Sequence, residues 1–381
     1  MTGKRKIVLG LIFCLLGQLT APGLVRSVIF GQAKAGSSEV VESINPATNF
    51  EVQKLAEGIY AVIRKDLPGL MVDANNLFII NEDDVIVVDS NGAPAITKEV
   101  LAALKKLTGK PVSYVINTHY HDDHIRGNQV YRDAFPSVEF IGHGFAREYL
   151  PKQGAANRKG FLEGAPGFRD LIKDRLSKSK NLSGGDLTTE ERASYESDVR
   201  LVDLVLSEGS MAETVLPTIT VEERLTLHRG NRVIEIMHLG SGHSAADLVV
   251  QLPNEGIAVT GDIVVWPVPL VGNPQSRVGE WSGTLEKLMA LKPAIIVPGH
   301  GPVMRDDSYI RQLANLFASI TKQTQAAVSR GESLEQARKS IQLDDFRKQF
   351  AGDSPVRKFA FNMYVAGPAV EAAFRELSVK K

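Results

Sequence analysis

From Phe50 onward the chain alternates short apolar runs with polar punctuation. GIYAVIRK, NNLFII, VIVVD, VSYVINT and VEFIGH are rich in Val and Ile and bounded by Asn, Asp, Gly or Pro, which predicts strands. NNLFII and VIVVD are separated only by the turn Asn81-Glu82-Asp83-Asp84, so they read as a buried hairpin. ITKEVLAALKKLTG has a helical period. A second series follows, with ITVEERLTLH, RVIEIMHLG, ADLVVQLP, GIAVTGDIVV and AIIVPGHG as strands and WSGTLEKLMALK as a helix. Residues 307–329 form a long amphipathic pattern, and two more helices are expected at 333–343 and about 354–377, with Pro355 near the start of the last.

Between the two series, residues 145–216 are polar and helical, broken at GAAN, GAPG and NLSGG. FRDLIKDRL and ESDVRLVDLVLSEG each have one apolar face, so this stretch reads as an elaboration packed on the main domain. Two sets of strands interleaved with helices predict an α/β fold in which sheet is covered by helix on its outer faces. Residues 36–50 are rich in Ser, Asn and Gly and read as a loose lead-in, with order expected from about Phe50.

The N-terminus changes the picture. Lys4, Arg5 and Lys6 precede the apolar run VLGLIFCLLG, the order of an export signal, with small residues suited to cleavage after Ala21 or Ala35. The competing reading is a membrane anchor, but the run is shorter than the roughly 20 residues a spanning helix needs. Cys14 is the chain's single cysteine and follows bulky Phe13, which argues against a lipid attachment site. The expectation is an exported protein, periplasmic or extracellular, with no stable membrane insertion once residues 1–35 are removed. The mature chain would then have no disulfide, cysteine nucleophile or thiolate ligand.

The 381 residues, 43% hydrophobic and 23% charged, are long enough for a substantial core. Removing five of the 44 basic residues and none of the 44 acidic ones with the leader would make the remainder mildly acidic. Without a cluster of Lys and Arg among exposed aromatics, nucleic-acid binding has no electrostatic footprint. A small-molecule substrate is the expected partner. The C-terminal helices read either as a homodimer surface or as closure of the domain.

Candidate chemistry concentrates in NTHYHDDHIRGN, where His119, His121, Asp123 and His124 fall within six residues just beyond the strand VSYVIN. Imidazole with carboxylate is the donor set of catalytic zinc, and a rigid strand end suits a site that must keep its geometry. His243 in LGSGHSAAD, His300 in VPGHGP and Asp262 in VTGDIVV share a second property. Each lies in or beside a Gly-containing segment at a strand junction, where the backbone can approach a ligand closely. His143, His228 and His238 read as structural or supporting residues, and Asp122 as structural.

The motifs HYHDDH, SGHSAAD, TGDIV and PGHGP, in that order, resemble the metallo-β-lactamase superfamily over about residues 50–310. The resemblance implies a four-layered αββα sandwich of two mixed β-sheets with outer helices, over 36–310, with 145–216 as a helical insertion and 311–381 as a C-terminal helical extension. It implies that His119, His121 and His243 hold one zinc ion, that Asp123, His124 and His300 hold a second, and that Asp262 bridges them. Iron and manganese are alternatives the same donors accept. Asp89, in VIVVDSNG, resembles the family's non-ligating aspartate behind a ligand.

The implied reaction is hydrolysis by metal-bound hydroxide, with Asp123 orienting it or taking its proton. The seven-donor pattern resembles the glyoxalase II and lactonase branches, since Asp262 stands where cysteine-type lactamases carry Cys. Tyr120, between two ligands, is a candidate hydroxyl donor to the cleft, with a packed ring as its alternative. Trp266, in VVWPVPLVG, is a candidate apolar wall, with ordinary core packing as its alternative. A small ester, lactone or lactam is the expected substrate, with phosphodiester or thioester chemistry as alternatives. A di-iron redox enzyme or a non-catalytic binding protein is a more distant one.

Overall fold

The computed structural model describes residues 40–44, 49–66, 69–208, 212–272 and 274–379. The expected export signal, both cleavage sites and Cys14 lie outside the described residues. Among those residues, no helix is long and apolar enough to cross a membrane.

Thirteen described strands form two sheets. The first has eight, side by side in chain order: β1 (Val40–Ile44), β2 (Phe50–Ala56), β3 (Ile59–Arg64), β4 (Asn76–Ile80), β5 (Val85–Val88), β6 (Val112–Ile116), β7 (Glu139–His143) and β8 (Ile219–Val221). Its first five strands are antiparallel and its last three run parallel to β5. The second sheet has five, from β9 (Arg224–Arg229) through β10 (Arg232–Met237), β11 (Val249–Leu252) and β12 (Ile257–Val265) to β13 (Ile295–His300). Only β12 and β13 pair in parallel there. Both sheets are therefore mixed.

Strand alternation builds three apolar layers. One set of side chains, Ile59, Leu77, Ile79, Ile86 and Ile116, faces Ile236, Val250, Ile257, Val259 and Val297 between the sheets. Their sequence neighbours Val62, Phe78, Val85, Val87 and Val115 face outward against α1 (Pro94–Leu107) and α3 (Asn128–Ala134). This period of two, with both faces covered, explains why the strands read as continuous apolar runs. The outer face of the second sheet is covered by α7 (Val278–Ala290) and α8 (Ser308–Ser329), whose Trp281 and Phe317 rings stack at 4.2 Å. The result is the αββα sandwich with outer helices that the resemblance implied.

Three details differ from the sequence reading. An ordered strand precedes Phe50, because β1 pairs with β2 and continues the antiparallel edge. The segment after α8 contains more helices than two: α9 (Leu334–Ser340), α10 (Asp344–Ala351), α11 (Pro355–Phe361) and α12 (Gly367–Val379), with a π-helical segment at Asn362–Ala366. Pro355 at the start of α11 and the Ser333 capping box of α9 set two of these boundaries. Finally, Phe350, Phe361, Val365 and Val370 share one core with α7, α8 and the second sheet, so these helices belong to the outer layer.

The helical stretch after β7 comprises α4 (Gly144–Tyr149), a π-helical turn at Leu150–Gly154, α5 (Ala155–Ser177) and α6 (Thr189–Glu208). It connects β7 to β8, so it leaves and rejoins the edge of the first sheet.

Truncation of Ile236, fully buried between the sheets, to Ala is expected to cost about 2–5 kcal/mol in chemical denaturation. Thr226→Ala, on the exposed face of neighbouring β9, is expected to stay within about 0.5 kcal/mol of the parent. Equal effects at the two positions would contradict the layer assignment.

Candidate metal centre

The donor residues come from strand ends and their following turns. β6 ends at Ile116 and delivers His119 and His121, then the single-turn helix α2 (Asp122–Ile125) carries Asp123 and His124. His243 sits in the turn between β10 and β11, Asp262 lies within β12, and His300 is the last residue of β13. The fold brings these together as two groups, His119, His121, His243 and Asp262 in one and Asp123, His124 and His300 in the other. Within each group the donor atoms lie within 4.8 Å of one another.

Asp262 faces both groups. Its Oδ2 is 3.4 Å from His243 Nε2 and 3.9 Å from His119 Nε2, while its Oδ1 is 3.3 Å from His124 Nε2 and 3.2 Å from His300 Nε2. Asp123 Oδ2 approaches the second group, 3.2 Å from His300 Nε2 and 3.5 Å from His124 Nε2. Placing a carboxylate mid-strand at this point takes an irregular backbone. Gly261 has φ +50, and the β12–β13 register shifts on either side of it. Any side chain at 261 would also collide with Thr118, whose Oγ1 would lie 2.4 Å from its Cβ. A Cβ at Gly299 would meet Asp262 Oδ1 at 2.0 Å, so glycine there leaves room for the carboxylate.

Hydrogen bonds outside the cluster orient the rings. His243 Nδ1 donates to the Leu270 carbonyl (2.7 Å), His300 Nδ1 to the Asp73 carbonyl (3.0 Å) and His124 Nδ1 to Asp89 Oδ2 (2.8 Å). Asp89 also accepts the Thr118 amide and hydroxyl, both at 2.7 Å, and His119 Nδ1 lies 3.3 Å from that hydroxyl oxygen. With each Nδ1 proton directed outward, the Nε2 lone pairs of His119, His124, His243 and His300 point inward. His121 turns its Nδ1 inward instead, 2.8 Å from His243 Nε2.

The cluster is buried, and its inward atoms lack partners. His119, His124, His243, Asp262 and His300 are all below a tenth exposed. His119 Nε2, His124 Nε2, His300 Nε2, Asp123 Oδ2 and Asp262 Oδ1 find no hydrogen-bond partner among the described residues. Lone pairs that converge in a buried cluster are unfavourable unless positive charge or hydrogen-bond donors join them. In the metal-free chain only protons can supply it. Burial opposes a charged His300, yet Asp262 and Asp123 hold it up at about 10. His124 is likewise raised against burial by Asp123, Asp262 and Asp89, whereas burial pushes His121 down to about 3. A divalent cation in each group would replace those protons, and the imidazole and carboxylate donors are of the type that binds zinc. The donor set therefore fits a binuclear metal site.

The remaining sequence candidates fall around this centre. Tyr120 is 4% exposed, its ring packs against Phe145 and Tyr149, and its hydroxyl is buried without a partner. This is the packed alternative, since Phe145 and Tyr149 enclose the ring. Trp266 is half-buried at the end of the strand pair that carries Asp262 and His300. Its amide donates to the His300 carbonyl (3.1 Å), and the Arg357 guanidinium lies 4.8 Å over its ring. One face of Trp266 is thus taken by the C-terminal helices.

His143 accepts from the Phe145 amide as the cap of α4, His228 is exposed on β9, and His238 Nδ1 donates to the Asp247 carbonyl. None joins either group. Asp122 lies between His121 and Asp123 in sequence but is paired with Arg126 and Arg158.

Several supporting residues were not legible in the sequence. Asp73 acts through its backbone carbonyl, which no side-chain motif announces. Asp247 accepts the Ser244 amide and hydroxyl and so fixes the turn bearing His243; its place in GHSAAD was the available signal.

Comparison with known proteins gives a consistent family. The model of the metallo-beta-lactamase superfamily matches residues 71–300. A linear primary-alkylsulfatase from Pseudomonas sp. (strain ATCC 19151) is 23% identical over 278 residues, covering 68% of this chain and 48% of that enzyme, so the chain spans about half its length. A metallo-beta-lactamase type 2 from Bacillus sp. (strain 170) is 25% identical over 80% of this chain and 95% of its own. A hydroxyacylglutathione hydrolase from Nostoc sp. (strain PCC 7120 / SAG 25.82 / UTEX 2576) is 32% identical over 107 residues, 27% of this chain and 37% of that enzyme. Among solved structures, a metallo-beta-lactamase from Pontibacter korlensis aligns with 19% identity and a TM-score of 0.49, covering 71% of this chain and 99% of that one. Since the family match runs from the first sheet to the last strand of the second and contains all seven converging donors, the chain belongs to the metallo-beta-lactamase superfamily.

Proposed function

We propose that this chain is a binuclear, zinc-dependent hydrolase of a small ester, lactone or lactam. The observation that carries the reading is Asp262, whose two carboxylate oxygens each face a different donor group. His119, His121 and His243 would hold one ion, Asp123, His124 and His300 the other, with Asp262 shared. When bound, the two ions supply Lewis acidity and lower the pKa of a water toward neutrality. The chain's own residues then orient and move protons. Asp123, whose side chain is 21% exposed and whose Oδ2 faces His300 and His124, would orient the water or take its proton. Asp89 keeps His124 in the tautomer that leaves Nε2 free.

The bond cleaved is a narrower question. The names of the three relatives span sulfate-ester, lactam and thioester chemistry, and none is similar enough to transfer its substrate. The mature chain offers no cysteine for a ligand, and Asp262 matches a glyoxalase II or lactonase-like pattern, which favours an acyl substrate. The basic-then-apolar leader adds export to the proposal, hence a substrate met outside the cytoplasm.

Metal-free protein reconstituted with zinc is expected to bind two equivalents and to hydrolyse at least one member of a panel of lactams, lactones, carboxyl esters, sulfate esters, phosphodiesters and thioesters. Asp262→Ala is expected to lose at least one ion and the activity. Unchanged metal content and turnover in that variant would sink the reading. Asp89→Asn should keep the fold, since Asn tolerates the φ of +58 found there, while weakening zinc affinity about 10- to 100-fold in chelator competition. For export, the N-terminus of protein recovered from the periplasm or medium is expected at Pro22 or Gly36; an intact Met1 would contradict it.

A further inference from the structure

We propose that Arg158, contributed by the helical segment between β7 and β8, is a positioning residue for the second donor group. It acts through Asp122 to fix the turn that carries Asp123 and His124. The inference rests on the binuclear reading given above.

Helix α2 has only four residues, too few to be stable by its own hydrogen bonds. The direction of Asp123 and His124 must therefore come from contacts made by their neighbours. His124 has several: Asp89 holds its ring, and its carbonyl accepts from Ser90 and Asn117. Asp123 Oδ2, in contrast, has no hydrogen-bond donor among the described residues. The residue before it carries side-chain contacts that help to hold this turn. Asp122 Oδ1 accepts from Arg126 Nε at 2.8 Å and Nη2 at 2.5 Å, while Asp122 Oδ2 accepts from Arg158 Nη1 at 3.0 Å.

The two arginines are not equivalent. Arg126 is 1% exposed and belongs to the same turn, four residues on, and its Nη1 is bonded to Thr214 Oγ1 at 2.6 Å. It closes the turn on itself and ties it to Thr214 in the segment that leads to β8. Arg158 stands on α5, 36 residues from Asp122, with a side chain 10% exposed. It is the contact that ties the turn to α5. Both carboxylate oxygens being engaged from different directions removes the rotation of Asp122 that either arginine alone would permit. Through Arg158, α5 is thereby coupled to the turn that carries Asp123 and His124, whereas α4 of the same segment meets Tyr120, between His119 and His121, through Phe145 and Tyr149.

The test is zinc binding to the full chain, followed by calorimetry and chelator competition, with cobalt absorption reporting the coordination of each ion. Arg158→Met keeps the aliphatic stem and removes the donor; Arg158→Lys restores a donor. The unaltered chain is expected to bind two ions. Arg158→Met is expected to weaken the second by about 10- to 100-fold and leave the first unchanged, and Arg158→Lys to recover much of the loss. If the unaltered chain binds fewer than two ions, the binuclear reading fails and this inference with it. If it binds two, and Arg158→Met either changes neither affinity or weakens both equally, only the positioning role is overturned.

Discussion

The structure is organised around one electrostatic constraint: seven buried or half-buried donors converge, and among the described residues the inward atoms of His119, His124, His300, Asp123 and Asp262 find no hydrogen-bond partner. Such an arrangement is costly without a cation. It persists because His124, His243 and His300 are held from behind by hydrogen bonds that do not depend on the cluster, to Asp89, Leu270 and Asp73. The strands end where those anchors are, and Gly261 breaks the regular geometry of β12 at the single point where a carboxylate must face two directions.

The anchors are themselves secured by long-range contacts. Asp73 shares a buried charge network in which Arg64 reaches Asp66 at 2.7 Å and Asp73 at 3.4 Å. Asn75 bonds the Pro298 and Gly301 carbonyls on either side of His300. The loop between β3 and β4 is also held from outside the sheets. Asp198 on α6 accepts the Leu70 and Met71 amides, and the Tyr364 hydroxyl donates to the Leu70 carbonyl. Two segments that resemble additions in the sequence, the α4–α6 stretch and the C-terminal helices, thus meet on the loop that presents Asp73 to His300.

This arrangement gives the additions a role beyond covering apolar surface. The C-terminal helices share a core with the second sheet and place Arg357 over Trp266, next to the strand ends bearing Asp262 and His300. Arg357 lies more than 50 residues beyond His300, the last donor in the chain.

The sequence by itself determined most strands from Phe50 onward, the α/β class and the His and Asp residues able to act as donors, and the resemblance of their motifs supplied the layer order. Continuous Val/Ile runs mark strands buried on both faces, and His and Asp at strand ends carry their chemistry in residue type and spacing alone. It did not determine which way Tyr120 faced, since alternation past the end of β6 follows from the local backbone and from the aromatic partners Phe145 and Tyr149. Nor did it disclose the roles of Asp73, Asn75, Arg158 and Tyr364. Those act through carbonyls, single hydrogen bonds and ion pairs between residues far apart in the chain, and such partners become neighbours only once both sheets and their covering helices are packed.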